Sequence, residues 1–303
     1  MILTPDYHFY SRVAFNNEAE IERIVLDNFK KIFGDYALLL PKTKISTLGG
    51  TGTIPDGIVI DFEDEEWSII EVELAGHGTW QHIAPQISKQ LTATITDSAQ
   101  AKIVDLCVAM IGSDSALQDS LEELGIHTIN IHGKLNTILA KKPIVALPID
   151  DIPADLDQWA QTLTYTVKLW KVEKYIDAEG RILYTMPDDA IPNLVSGMRP
   201  AGLALSGTSS GSLLSSVLVA GLLAEGDRLW FKYGPKGQPK TPFEGIVRKD
   251  GIEVDGRAYS PSIAAIRCIN KVNPSRTTAN GWTTWKTPNG KLIIELLKQV
   301  PQS

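Results

Sequence analysis

Apolar positions set the first elements of the chain. Ile21, Ile24, Val25, Phe29 and Ile32 recur at helical spacing, so an amphipathic helix is predicted over 17–33. Asn17 followed by Glu20 is a capping-box signature, and Gly34 is a natural stop. An extended stretch at 37–41 and a Gly/Thr-rich turn at 47–53 precede two predicted strands, 54–62 and 67–74, joined by the acidic turn 63–66. A helix is predicted over 82–99, with Pro85 in its first turn, where a missing N–H costs little. Residues 102–111 are apolar and rich in Val and Ile without alternation, the pattern of a buried central strand. A short helix at 115–124 and a strand at 127–131 complete the series. The order is helix, three strands, helix, strand, helix, strand, an α/β layered domain with a mixed sheet.

Residues 141–160 carry Pro143, Pro148, Pro153, Asp150 and Asp151 and read as a boundary. A strand-like run at 162–172 and an irregular stretch at 187–200 follow, so the division is 1–145, a connecting region 146–200, and a smaller α+β unit 201–303. That last unit predicts a helix at 213–223, a strand at 228–233, a loop at 234–242 bearing Lys236 and Lys240, a hairpin turning at 249–251 and a helix at 263–269. Asn280-Gly281 turns into 282–286, and a closing element spans 291–297.

Charge follows the division. The net −7 conceals 24 acidic and 11 basic side chains in residues 1–160, against 12 acidic and 18 basic in 161–303. A basic half suits a polyanion; an acidic half either holds a divalent cation or is a soluble surface. No apolar run reaches the roughly 20 residues of a membrane span, and residues 1–6 lack a leader pattern. Cys107 and Cys268 are far apart in apolar runs and read as reduced core thiols of a cytosolic protein.

The sharpest chemistry lies on the strand 67–74. Trp67, Ile69, Glu71 and Glu73 share one face, while Ser68, Ile70, Val72 and Leu74 share the other. Both faces are mostly apolar, so two glutamates at one end require a neutralising partner. If 54–62 and 67–74 pair as a hairpin, Asp56 lies opposite Glu71 and Glu73, and the cluster repels itself unless a hard cation such as Mg²⁺ sits among the oxygens. Glu18 falls within the apolar face of the first helix. It is either a fourth group at this site or a solvated glutamate favoured by the helix dipole.

Pro55-Asp56-Gly57 followed by Glu71-Val72-Glu73, after an acidic helix, resembles the core of PD-(D/E)XK nucleases. The resemblance implies an αβββαβ fold, Mg²⁺ (or Mn²⁺) bound by Asp56 and Glu71, and a third motif position, usually Lys, held here by Glu73. It also implies a helper on the next helix, for which Gln86, Lys89 and Gln90 are in register. His77 and His82 flank Trp80 nearby, as phosphate contacts or as plain polar residues. Residues 205–298 resemble the RAMA domain, associated with restriction enzymes and adenine methylases, through Gly226-Asp227, Trp230, Asp250-Gly251, Tyr259-Ser260-Pro261-Ser262 and Asn280-Gly281-Trp282 with Trp285. That resemblance implies DNA recognition, including DNA with modified bases, through Trp230, Tyr259, Ser260, Ser262, Asn280, Trp282, Trp285 and Lys286. Trp285, beside Lys286 in a polar segment, is the expected exposed aromatic; Trp230 and Trp282 are either stacking platforms or core.

Together these readings lead to a Mg²⁺-dependent endonuclease of restriction type acting on double-stranded DNA; one site per chain cuts two strands either as a dimer or by two sequential nicks, and a homodimer is expected. Two alternatives stand: a non-catalytic DNA-binding or sensing protein on a decayed nuclease fold, and an RNA-directed nuclease.

Overall fold

The computed structural model describes residues 1–186, 191–192, 211–235, 239–274, 276–297 and 299–300. The predicted irregular stretch 187–200 falls outside these residues except for a two-residue strand at 191–192, and Lys236 falls outside them altogether.

The α/β class holds. Helix α1 (Glu18–Asp27) starts as predicted, with the Asn17 side chain accepting from the Glu20 N–H, but it breaks at Asn28 before a short helix Phe29–Phe33. Strands β1 (Ala37–Pro41), β2 (Gly57–Asp61) and β3 (Glu66–Ile70) form an antiparallel set in the order of the chain. Four helices follow: α2 (Ala84–Thr94), α3 (Asp97–Ser113), an unlabelled helix Ser115–Glu123, and α4 (Ile131–Leu139). Strand β4 (Ile144–Ile149) then lies parallel to β3, and after α5 (Ala154–Thr162), β5 (Val167–Lys171) lies parallel to β4.

Alternation distributes the core. Ile58, Ile60, Trp67, Ile69, Val145 and Leu147 pack beneath α2, α3 and α4, whereas Val59, Ile70, Val72, Ala146 and Trp170 pack with Ile21 and Val25 of α1. The sheet is therefore covered on both sides, as its apolar strands require.

Three expectations are corrected. Residues 102–111 are helix: Ile103, Val104, Cys107 and Ile111 are buried at a helical stripe, and Asp105 is exposed between them. Their absence of alternation marked a half-buried helix rather than a strand. Residues 127–131 are a 3₁₀ turn entering α4, whose buried Ile131, Leu135, Ile138 and Leu139 again follow the helical period. The region 146–200 is no simple connection, because β4 and β5 complete the main sheet. Glu173–Ile176 and Ile182–Thr185 also join Phe9–Val13 and Ile2–Leu3 in a second, antiparallel sheet. Pro148 disguised β4; its ring removes a donor, but its carbonyl still accepts from the Glu73 N–H at 3.1 Å.

The C-terminal unit is an antiparallel meander, Arg228–Tyr233, Thr241–Arg248, Gly251–Val254 and Arg257–Tyr259. Its core is closed by Pro261–Ile269 and Ile293–Leu297, together with Trp282 and Trp285. Asp255 and Gly256 both take positive φ (54° and 78°), the turn conformation that the Asp-Gly pair predicts. Cys107 and Cys268 are free and buried. Among the described residues, no helix is long and apolar enough to cross a membrane.

Candidate metal centre

Glu71 and Glu73 extend β3 past its regular pairing. The Glu71 N–H donates to the Ala146 carbonyl at 3.0 Å, and the Glu73 N–H to Pro148, so β4 holds both residues at the end of the sheet. Asp56 opens β2 beside them, and its Oδ2 accepts from the Val72 N–H at 3.0 Å. All three carboxyls are buried: 6% exposed for Asp56, 3% for Glu71 and 1% for Glu73. The hairpin register thus brings Asp56 beside the two glutamates that alternation had placed on one face.

Each has partners. The Glu71 carboxylate accepts from the Gln86 side-chain amide and from Gln90 Nε2 at 2.5 Å, both on α2. Lys42, one residue past β1, places Nζ 3.3 Å from Asp56 Oδ1 and 3.0 Å from Glu22 Oε1. Glu73 Oε2 lies 2.8 Å from His77 Nδ1, and its Oε1 lies 3.4 Å from His82 Nε2. Glu18 reaches the same imidazole, Oε2 to His77 Nδ1 at 3.2 Å.

These partners do not offset the burial. Glu71 is pushed up to about 9, first by desolvation and then by the neighbouring Asp56 and Glu73 charges. Asp56 is raised by burial and by Glu22, against the opposing pull of the Val72 N–H and Lys42. Glu73 is raised by burial, with His77 pulling the other way. The end of the sheet is therefore short of positive charge, the condition under which a cation binds among carboxylates. Glu73, His77 and His82 each offer one ligand atom, all within 4.8 Å of one another, close enough to hold a metal ion. A second such group, His8, Asp177 and Glu179, already has the Arg181 guanidinium against it.

Lys89 is exposed on α2, the alternative open to it as an ordinary helical lysine, and the cation beside Asp56 is Lys42. The missed signal was hairpin register, since Pro41 pairs with Gly57 and so puts Lys42 next to Asp56. Glu20, the capping-box glutamate, also forms a largely buried pair with Lys174 at 2.5 Å.

The residues expected to read DNA divide differently. Trp285, expected to be exposed, is fully buried, with its indole N–H donating to the Pro261 carbonyl at 2.9 Å. Trp282 is 4% exposed and belongs to the same core. Ser260 caps Pro261–Ile269, buried Ser262 accepts from the Gly281 N–H at 3.0 Å, and Asn280 caps the turn Gly281–Thr284. The arginines of 257 and 267 lie over the half-buried Tyr259 ring, 5.5 and 4.7 Å from its centroid. Trp230 and Lys286 are half-buried and line a hollow of about 450 Å³ with Lys232, Lys240 and Tyr233, and with the acidic Glu63 and Asp64 at its other wall.

The two units meet at the acidic turn between β2 and β3. Buried Arg276 lies against Asp35 (3.2 Å) and Glu63, with its guanidinium 4.7 Å over the Tyr36 ring. Asn280 Nδ2 donates to Asp64 at 3.2 Å. A cavity of about 700 Å³ beside this junction is lined by Lys31, Asp61, Asp64, Lys168, Trp170 and Trp282 among others. Comparison with protein-family models, curated proteins and solved structures found no match to this chain.

Proposed function

We propose that this chain is a divalent-metal-dependent endodeoxyribonuclease of restriction type. The observation that carries the reading is the convergence of buried Asp56, Glu71 and Glu73 at one end of a mixed sheet, with two α2 glutamines on Glu71. Asp56 and Glu71 would hold Mg²⁺ or Mn²⁺, and the raised proton affinity of both fits them to receive one. Such an ion, when bound, polarises a phosphoryl oxygen and lowers the pKa of an attacking water.

The chain's own groups supply the rest. Gln86 and Gln90 fix the Glu71 carboxylate plane, and Lys42 holds Asp56 in place. Glu73, held in contact with His77 and His82, provides a proton acceptor. Trp80, 53% exposed between those histidines, offers an aromatic face for a base. Double-stranded DNA, including DNA with modified bases, is the proposed substrate; Trp230, Lys232, Lys240 and Lys286 form the face of the C-terminal unit best suited to it. Two chains would act together on the two strands.

The test incubates wild type and Glu71→Ala with plain and base-modified duplexes plus Mg²⁺. Cleavage of at least one duplex by wild type alone supports the reading; no cleavage, or equal cleavage by both, ends it. A second reading, a DNA-binding or sensing protein without catalysis, is favoured by one observation: Lys42, the Val72 N–H and the two glutamines already occupy oxygens of Asp56 and Glu71. Under it, Mg²⁺ or Mn²⁺ titration shows no affinity that depends on Asp56.

A further inference from the structure

The local fold around Glu73 does more than place a carboxylate. Ala75–His77 is a 3₁₀ turn anchored by its Ala75 N–H donating to Asp150 Oδ1 at 2.7 Å. Gly78, at φ 79°, then reverses the chain into a π-helical turn, Thr79–Ile83, in which the Ile83 N–H reaches back to the Gly78 carbonyl. A spacing of five separates two side chains around an α-helix. Here the glycine and the widened turn bring the His77 and His82 rings to 5.2 Å between centroids, edge to face, both over Glu73. Single π-turns of this kind are uncommon and concentrate at functional sites.

We propose that Glu73, His77 and His82 form a transition-metal site, selective for an imidazole-binding divalent ion such as Zn²⁺, Mn²⁺ or Co²⁺ over Mg²⁺, with Glu18 at its edge. It goes beyond the nuclease reading, because it needs no ion at Asp56 and Glu71, although it shares Glu73 with that chemistry. Bonds of 2.0–2.2 Å from nitrogen and oxygen to such a metal put adjacent ligand atoms about 3.0–3.4 Å apart. Glu73 faces one imidazole with each oxygen, Oε2 at 2.8 Å from His77 Nδ1 and Oε1 at 3.4 Å from His82 Nε2, with Glu18 Oε2 3.2 Å from His77 Nδ1, and one ligand atom from each of Glu73, His77 and His82 falls within 4.8 Å of the others. Two neutral nitrogens and a carboxylate suit borderline metals, whereas Mg²⁺ takes oxygen ligands. The donors are also unequal in access. Glu73 is 1% exposed, but the histidine side chains are 36% and 48% exposed, leaving solvent-facing positions on an ion held there.

The probe is Co²⁺ added to the full-length chain stripped with chelator, read by visible ligand-field absorption and by calorimetry in a large excess of Mg²⁺. Wild type and Asp56→Asn should both take up Co²⁺ with the same spectrum. The His77→Ala/His82→Ala double variant should lose the bands and bind more than about 100-fold more weakly, beyond the range of outer-shell losses. Far-UV circular dichroism and single substitutions to Gln control for folding. Unchanged Co²⁺ binding in the double variant overturns the proposal, as does displacement of Co²⁺ by equimolar Mg²⁺ or loss of the bands in Asp56→Asn. Failure of the nuclease reading is separate: it shows as absence of cleavage, whatever the cobalt spectrum.

Discussion

Glu71 gives the most direct measure of how much strain the carboxylate end stores. Its carboxyl ionises only at about 9, against an ordinary 4.5. Between those values the folded chain keeps a proton that the unfolded chain has released. Stability is therefore fully present below the unfolded pKa and drains away as pH rises toward the folded one. From pH 5 to pH 8 this is three pH units at 1.36 kcal/mol each, on the order of 4 kcal/mol for a group only 3% exposed. Glu71→Gln carries a neutral amide of the same shape and lacks that slope. The assay is guanidinium unfolding of both chains in chelator at pH 5, 6.5 and 8. Asp61 and Glu63 are also raised, but they are present in both chains and cancel in the difference, whereas the coupling of Asp56 and Glu73 to Glu71 belongs to what the difference reads. The stability of wild type relative to the variant should fall by several kcal/mol across the range. Mg²⁺ at pH 8 should restore much of it to wild type and little to the variant. Parallel pH profiles for the two chains would refute the burial argument for Glu71.

Three further outcomes follow from the packing. Trp285→Ala should cost about 3–5 kcal/mol in chemical unfolding, since it empties the largest fully buried side chain of the C-terminal core; a variant of unchanged stability that fails only in DNA binding would contradict the core assignment. Gly281→Ala should abolish folding of the C-terminal unit, seen as lost near-ultraviolet circular dichroism, because the added Cβ would lie 2.1 Å from the Pro261 carbonyl carbon and 2.4 Å from the Ser262 nitrogen. Arg276→Ala leaves Asp35 and Glu63 facing each other unneutralised and should cost about 3–5 kcal/mol, with limited proteolysis then separating the two units.

The carboxylate site was legible because alternation is a strong constraint. Once 67–74 is a strand buried on both faces, Glu71 and Glu73 must share a side, and the short acidic turn forces Asp56 opposite them. What escaped was information carried by register and by irregular backbone. Lys42 reaches Asp56 through a cross-strand pair, and His77 and His82 converge through a π-turn that no periodicity announces. The misread segments share a cause. Ile103 to Ile111 and Ile131 to Leu139 are rich in β-branched and aliphatic residues, and their helical stripe is visible only when the exposed positions between are weighed. Pro148 hid the central strand in the opposite way, by a breaker tolerated where the neighbouring strand ends. In the C-terminal unit, Trp282, Trp285, Ser260 and Ser262 do capping and packing work, which composition cannot distinguish from nucleic-acid contact.

The placement of that unit sharpens its proposed task. It docks on the turn after Asp61, whereas Asp56 opens the same strand, so the docking point and the carboxylates are separated by the length of β2, about 17 Å at 3.4 Å per residue. A duplex laid alongside a strand of that length would advance about five base pairs at 3.4 Å each. A chain that reads DNA with the C-terminal unit and cuts at Asp56 and Glu71 should therefore cut at a fixed offset of at least that distance from what it reads. Arg276 is the buried cation that keeps the two ends in register. Sequencing of product ends should show a narrow offset for wild type and a broad one for Arg276→Ala, with the hydrolysis rate of a short non-specific duplex unchanged. Equal spread in the two proteins would mean that the units do not act as one measuring body.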